Sequence, residues 1–112
     1  MNDTVLRDLY QVVLNRKSDP QEGSYTCYLF DKGLDKILKK VGEECSETII
    51  AAKNGKQEET VGEISDLIYH LMVMMAQQNI PLDAVLAELE RRSHKIGNLK
   101  QMKTVDHETR CV

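Results

Sequence analysis

Two short acidic motifs hold the residues best suited to chemistry in this sequence. Glu44-x-x-Glu47 and Glu63-x-x-Asp66 each place two carboxylates three residues apart, a spacing that puts both on one face of a helix. Asn54-Gly55 lies between them, with Gly55 equidistant from the two pairs. A helical hairpin turning there brings both pairs to one level, roughly 14 Å from the turn. Four carboxylates at one level suit Mg²⁺, and by donor type also Mn²⁺, since both prefer carboxylate and water oxygens. A cation so held can bind and polarise phosphoryl oxygens.

Angular position selects among the acids. At about 100° per residue, Leu34, Ile37, Leu38, Val41, Cys45, Ile49 and Ala52 form one apolar stripe that is expected to face the core, with Cys45 a small buried hydrophobe. Glu44 and Glu47 lie about 110° to one side of it, together with Lys40 and, slightly further round, Lys36. Glu43 points almost directly away. Glu44, Glu47, Glu63 and Asp66 are therefore the candidate metal ligands. Glu44 and Glu47, with Glu43 in support, are the candidate catalytic carboxylates. Lys40, one turn before Glu44, is a candidate phosphate-binding cation. The same charges also suit a solvated surface, because Lys39–Glu43 and Lys40–Glu44 are i,i+4 pairs of opposite sign.

On the next helix, Glu63, Asp66 and His70 fall within about 60° of one another, opposite Ile64, Ile68, Leu71 and Met75. Leu67, Tyr69, Met72, Val73 and Met74 then make its second half apolar nearly all round. Such a helix needs burial on several sides, more than one small chain readily supplies. A homodimer is expected. His70 suits a core or interface position, and the methionines suit packing.

The elements that position these residues are helical. Periodicity predicts helices over about 4–17, 34–53 and 58–78, and a fourth that starts after Pro81 and is ended by Gly97. A polar loop covers 18–23, and Ser24-Tyr25-Thr26 supplies hydroxyls able to cap a further helical segment. The expected architecture is an all-α, four-helix single domain over 1–99, with 100–112 a tail lacking apolar periodicity. With 112 residues, 41% hydrophobic and 29% charged, the composition is that of a globular protein. A net charge of −3 and only 4% aromatic residues argue against nucleic-acid binding and against a polybasic membrane role. The most apolar run, Leu67 to Ala76, is too short to span a bilayer. Three cysteines, Cys27, Cys45 and Cys111, without C-x-x-C spacing read as reduced thiols of a cytoplasmic protein.

Gly23-Ser24-Tyr25-Thr26, Lys40-Val41-Gly42-Glu43-Glu44-Cys45-Ser46-Glu47 and Glu63-Ile64-Ser65-Asp66-Leu67-Ile68-Tyr69-His70-Leu71 together resemble phosphoribosyl-ATP pyrophosphatases, within the wider MazG-like group of all-α nucleotide pyrophosphohydrolases. The resemblance spans roughly Leu6 to Arg92. It implies a MazG-like helical bundle, assembled as a homodimer, that hydrolyses a nucleotide substrate. The implied reaction is the second step of histidine biosynthesis, phosphoribosyl-ATP to phosphoribosyl-AMP and pyrophosphate. It further implies Mg²⁺ on Glu44, Glu47, Glu63 and Asp66, and phosphate contacts from Lys40 and Arg92. Ser24, Tyr25, Thr26 and His70 would border the substrate. A house-cleaning nucleoside triphosphate pyrophosphohydrolase, and a non-catalytic helical dimerisation module, fit the same residues as alternatives.

Overall fold

A computed structural model describes residues 4–95. Among them the chain is all-helical, with α1 (Val5–Ser18), α2 (Tyr25–Lys32), α3 (Leu34–Lys53), α4 (Gln57–Gln77) and α5 (Leu82–Ser93), and no strand. The fifth helix, beyond the expected four, is α2, the further segment that the hydroxyls of 24–26 were expected to cap. Ser24 caps it, its hydroxyl accepting from the Cys27 N–H at 3.2 Å. Gly33 ends it and at once starts α3, at φ 94° and ψ −177°, a conformation essentially reserved for glycine.

The chain divides between Ile80 and Pro81 into two compact units. In the first, α3 packs chiefly on α4, α1 packs on α4 and α2, and α2 also touches α3 and α4. The α3–α4 turn is built as the sequence suggests. Asn54 is the C-cap of α3, and Gly55 follows at φ 70°, donating to the Ala52 carbonyl at 3.1 Å. A left-handed residue just past the helix end satisfies carbonyls that the helix leaves open.

The end of α4 uses the same device without glycine. Asn79 takes φ 59°, its N–H bonds the Ala76 carbonyl and the Ile80 N–H bonds the Met75 carbonyl, the paired bonds of a Schellman stop. No basic residue lies in the last turn of α4. Lys17 of α1 supplies one, donating to the Ala76 carbonyl at 2.8 Å and to Asn79 Oδ1 at 3.3 Å. The Tyr10 hydroxyl bonds the Ile80 carbonyl. These contacts fasten α1 to the C-terminal end of α4.

The interior of this unit is Tyr10 and Val13 of α1, Leu29 of α2, Ile37 and Ala51 of α3, and Met72, Val73, Met75 and Ala76 of α4. The methionines at 72 and 75 are packing residues, as expected. Of the expected apolar stripe of α3 only Ile37 is fully buried, and Leu34 and Val41 are partly so. Ile37, Glu44 and Ala51 are the buried positions of α3, whereas Leu38, Cys45, Ile49 and Ala52 are exposed. Cys45 is a free, exposed thiol rather than a core residue. The exposed edge lies roughly 100° round the helix from the side that α4 covers, so it is left facing outward. On α4, Val61, Ile64 and Ile68 are likewise exposed.

The second unit contains α5, which starts directly after Pro81 and ends at Ser93, short of the stop expected at Gly97. Gly97, Cys111 and the tail at 100–112 lie outside the described residues. No helix among the described residues is long and apolar enough to cross a membrane.

Candidate active site

Three carboxylates converge across the hairpin. Glu44 of α3 and Glu63 and Asp66 of α4 each offer one oxygen, and these oxygens all lie within 4.8 Å of one another. Counted from the turn, α3 and α4 bring the acids to one level on facing sides. Glu44 is only 5% exposed, and its Oε2 has no hydrogen-bond partner. A buried carboxylate oxygen without a donor is costly, so the site has a built-in demand for a positive ligand.

The electrostatics agree. Burial pushes the Glu44 carboxyl above its ordinary pKa, and the neighbouring carboxyl of Glu47 pushes it further. Glu63 is also raised, first by burial and then by the charges of Glu47, Glu44 and Asp66. Acids that raise one another are each destabilised as anions, and a divalent cation among them would reverse that. Glu47 thus adjoins the cluster without being one of its three converging groups. The residues present, all oxygen donors with one unpartnered, fit Mg²⁺ or Mn²⁺.

Lys40 borders the cluster. Its Nζ lies 3.2 Å from Glu43 Oε1 and 3.7 Å from Glu44 Oε1. Pairing with Glu43 raises its pKa, so it stays charged beside the acids. Glu43 is therefore the partner of Lys40, exposed at the rim.

A wall of rings closes the site on the α2 side. The His70 ring, 5% exposed, has Nδ1 2.7 Å from the Asp66 carbonyl, so Nδ1 carries a proton. In the neutral ring Nε2 then accepts from the Tyr25 hydroxyl at 3.1 Å. Tyr69 packs edge-on against His70, with ring centroids 4.9 Å apart, and its hydroxyl bonds Thr26. Burial raises the pKa of both Tyr25 and Tyr69, which keeps them as hydroxyls at neutral pH.

Ser24 caps α2, while Tyr25 and Thr26 reach α4 through these bonds, so the Gly-Ser-Tyr-Thr segment is tied to the helix that carries Glu63 and Asp66. Arg92 belongs to the second unit. There its Nε donates to Glu88 Oε2 at 2.7 Å, and Arg91 Nε donates to Glu88 Oε1 at 3.1 Å. The two arginines hold the Glu88 carboxyl down at about 2.

Sequence reasoning did not single out Tyr69 for a role here: it appears only inside a longer run, and nothing in the spacing links it to Thr26.

The sequence matches the family described as phosphoribosyl-ATP pyrophosphohydrolase over residues 6–93. A phosphoribosyl-ATP pyrophosphatase of Listeria monocytogenes serotype 4b is 56% identical over 102 residues, covering 91% of this chain and 98% of the relative. One of Listeria welshimeri gives the same identity and coverage. One of Clostridium botulinum is 55% identical over 105 residues, 93% of this chain and 96% of its own length. With the match running from α1 to the end of α5, and with relatives spanned almost from end to end, the chain belongs to the phosphoribosyl-ATP pyrophosphohydrolase family.

Proposed function

We propose that this protein hydrolyses phosphoribosyl-ATP to phosphoribosyl-AMP and pyrophosphate, the second step of histidine biosynthesis, and that it does so with Mg²⁺ as a homodimer. The observation that carries the reading is the buried, unpartnered oxygen of Glu44 amid converging carboxylates, in a chain of this family. Glu44, Glu63 and Asp66, with Glu47 beside them, are the groups that would hold the metal. When bound, the cation supplies charge neutralisation at the phosphate oxygens and at the leaving pyrophosphate.

The side chains divide the remaining work. Lys40, held charged by Glu43, faces incoming phosphate with an ammonium free to exchange carboxylate for phosphate oxygens. Glu47, which adjoins Glu44 beside the three converging acids, accepts the proton of the attacking water as its oxygen bonds to phosphorus and the α–β anhydride bond breaks. His70 and Tyr25 hold each other and the wall of the site in place.

Dimerisation is supported by the exposed aliphatic stripes of the same hairpin. Ile49 is 68% and Val61 57% exposed, and Leu38, Ile64 and Ile68 are exposed beside them. Aliphatic surface in this concentration marks an interaction face. A second copy offers the matching apolar face and completes the burial that α3 and α4 lack.

The test is pyrophosphate release by purified protein with Mg²⁺, comparing phosphoribosyl-ATP with ATP and deoxynucleoside triphosphates. Strong preference for phosphoribosyl-ATP, abolished by chelation, is the expected result. Preference for a simple triphosphate would transfer the protein to a house-cleaning role. No release from folded protein would return the acids to a solvated surface.

A further inference from the structure

A cavity of about 770 Å³ opens between the last turn of α1 and the helix α2. Its size falls within the range of about 300–1,000 Å³ usual for small-molecule pockets. Two cations line it, Arg16 and Lys17, and they differ in availability. The Lys17 ammonium is committed to the Ala76 carbonyl and to Asn79. The Arg16 side chain is half-buried and makes no ion pair among the described residues, although Asp31 lines the same cavity. A guanidinium held at a cavity wall without a carboxylate partner is an anion site in waiting, and its fork matches phosphate oxygens two at a time.

The other walls specify more than an anion. Tyr25 and Tyr28 stack with centroids 6.0 Å apart and both line the cavity, giving it a flat aromatic side. Asp31 contributes an acceptor suited to sugar hydroxyls. Tyr25 also connects this space to the acids: its hydroxyl bonds His70, and His70 bonds the backbone of Asp66. Tyr25 therefore links the cavity to α4, the helix that carries Glu63 and Asp66.

Phosphoribosyl-ATP carries, besides its triphosphate, a second ribose ending in a phosphate monoester. We infer that this cavity receives the phosphoribosyl arm, with Arg16 binding its terminal phosphate and Asp31 its ribose hydroxyls, while the triphosphate lies at the acids. The inference rests on the substrate proposed above. It makes Arg16 a specificity residue, because ATP has no group to place there.

The test is steady-state kinetics of Arg16→Gln, with Arg16→Lys and Asp31→Asn beside it, and with ATP as a competing ligand. Losing a charge-assisted phosphate contact is expected to raise KM for phosphoribosyl-ATP about ten- to a hundredfold, with partial recovery in Arg16→Lys. Inhibition by ATP should move by less than about twofold, since ATP does not reach the cavity. An unchanged KM in folded Arg16→Gln overturns the inference, and so does an equal loss of ATP and phosphoribosyl-ATP binding, which would place Arg16 on the shared triphosphate. Should Arg16→Gln fail to fold, as judged by circular dichroism, Asp31→Asn decides: a KM raised several-fold supports the assignment and an unmoved one overturns it. A wild-type protein that does not turn over phosphoribosyl-ATP refutes the proposed substrate and this inference together. Wild-type turnover with unaltered variants refutes this inference alone.

Discussion

The α3–α4 hairpin has two sides that invert the usual rule of burial. On one side a carboxylate, Glu44, is buried with a naked oxygen. On the other, Leu38, Ile49, Val61, Ile64 and Ile68 stand in solvent. The contrast separates two kinds of surface: converging carboxylates that disfavour one another as anions, and aliphatic side chains that disfavour water. Each can be tested without disturbing the other.

The largest effect is expected on the acidic side. Glu44→Gln should lower pyrophosphate release by roughly a hundredfold or more, with the helical circular dichroism spectrum retained. The same substitution should not destabilise the metal-free fold at neutral pH. Glu44 titrates above its ordinary value because burial and Glu47 disfavour the anion. Its folded pKa being raised, stability is fully present below the unfolded pKa of about 4.3 and is lost as pH climbs through the folded value. Glu44→Gln should therefore melt at or above the wild type near pH 7.5 without metal, and the advantage should vanish near pH 4. A large loss of melting temperature at neutral pH would mean that Glu44 is a structural partner and not a charge under strain.

The aliphatic side is next. Ile64→Glu is expected to weaken self-association by roughly a hundredfold, since a carboxylate would be buried at the face without a partner. Sedimentation should then report a species of one chain, 12.8 kDa, where the wild type gives two. If wild type and variant sediment alike, the stripes are covered by something other than a second copy.

A smaller effect belongs to the wall between the two units of chemistry. Tyr25→Phe leaves a buried His70 nitrogen without its donor and should cost about 1–2 kcal/mol, read by denaturant titration. The smallest is Glu88→Gln. Glu88 is the counterpart of Glu44: arginines hold its carboxyl at about 2 instead of burial driving it up. Its depressed pKa places its stabilisation above the unfolded value, lost as pH falls toward 2. It is well exposed, so the melting temperature of Glu88→Gln at neutral pH should stay close to that of the wild type.

Much of this arrangement was legible in the residues. The Asn54-Gly55 stop and equal counting on either side place Glu44 with Glu63 and Asp66, because helical geometry leaves little freedom over ten residues. What was not legible was which face of α3 the chain itself covers. The apolar stripe from Leu34 to Ala52 is wide, and periodicity does not say which of its edges the chain itself buries. The chain buries the Ile37 edge, where Glu44 and Ala51 complete the buried side of α3, and leaves Leu38, Cys45, Ile49 and Ala52 exposed. α2 was legible only at its Ser24 cap: eight residues are too few for periodicity to stand out, and Gly33 reads as a stop only once its backbone is seen. The ring wall of Tyr25, Tyr69 and His70 depends on α2 reaching α4, a tertiary fact with no local signature.

The tight Gly55 turn also sets where this chain tolerates changes of length. A residue inserted in α3 between Glu44 and the turn would rotate Glu44 by about 100° and shift it about 1.5 Å relative to α4, taking it away from Glu63 and Asp66. The same insertion between Asn54 and Lys56 leaves the phase of both arms intact and falls in exposed backbone. The two helices behave as a counted pair of rulers joined at a zero mark, and only the mark can be lengthened.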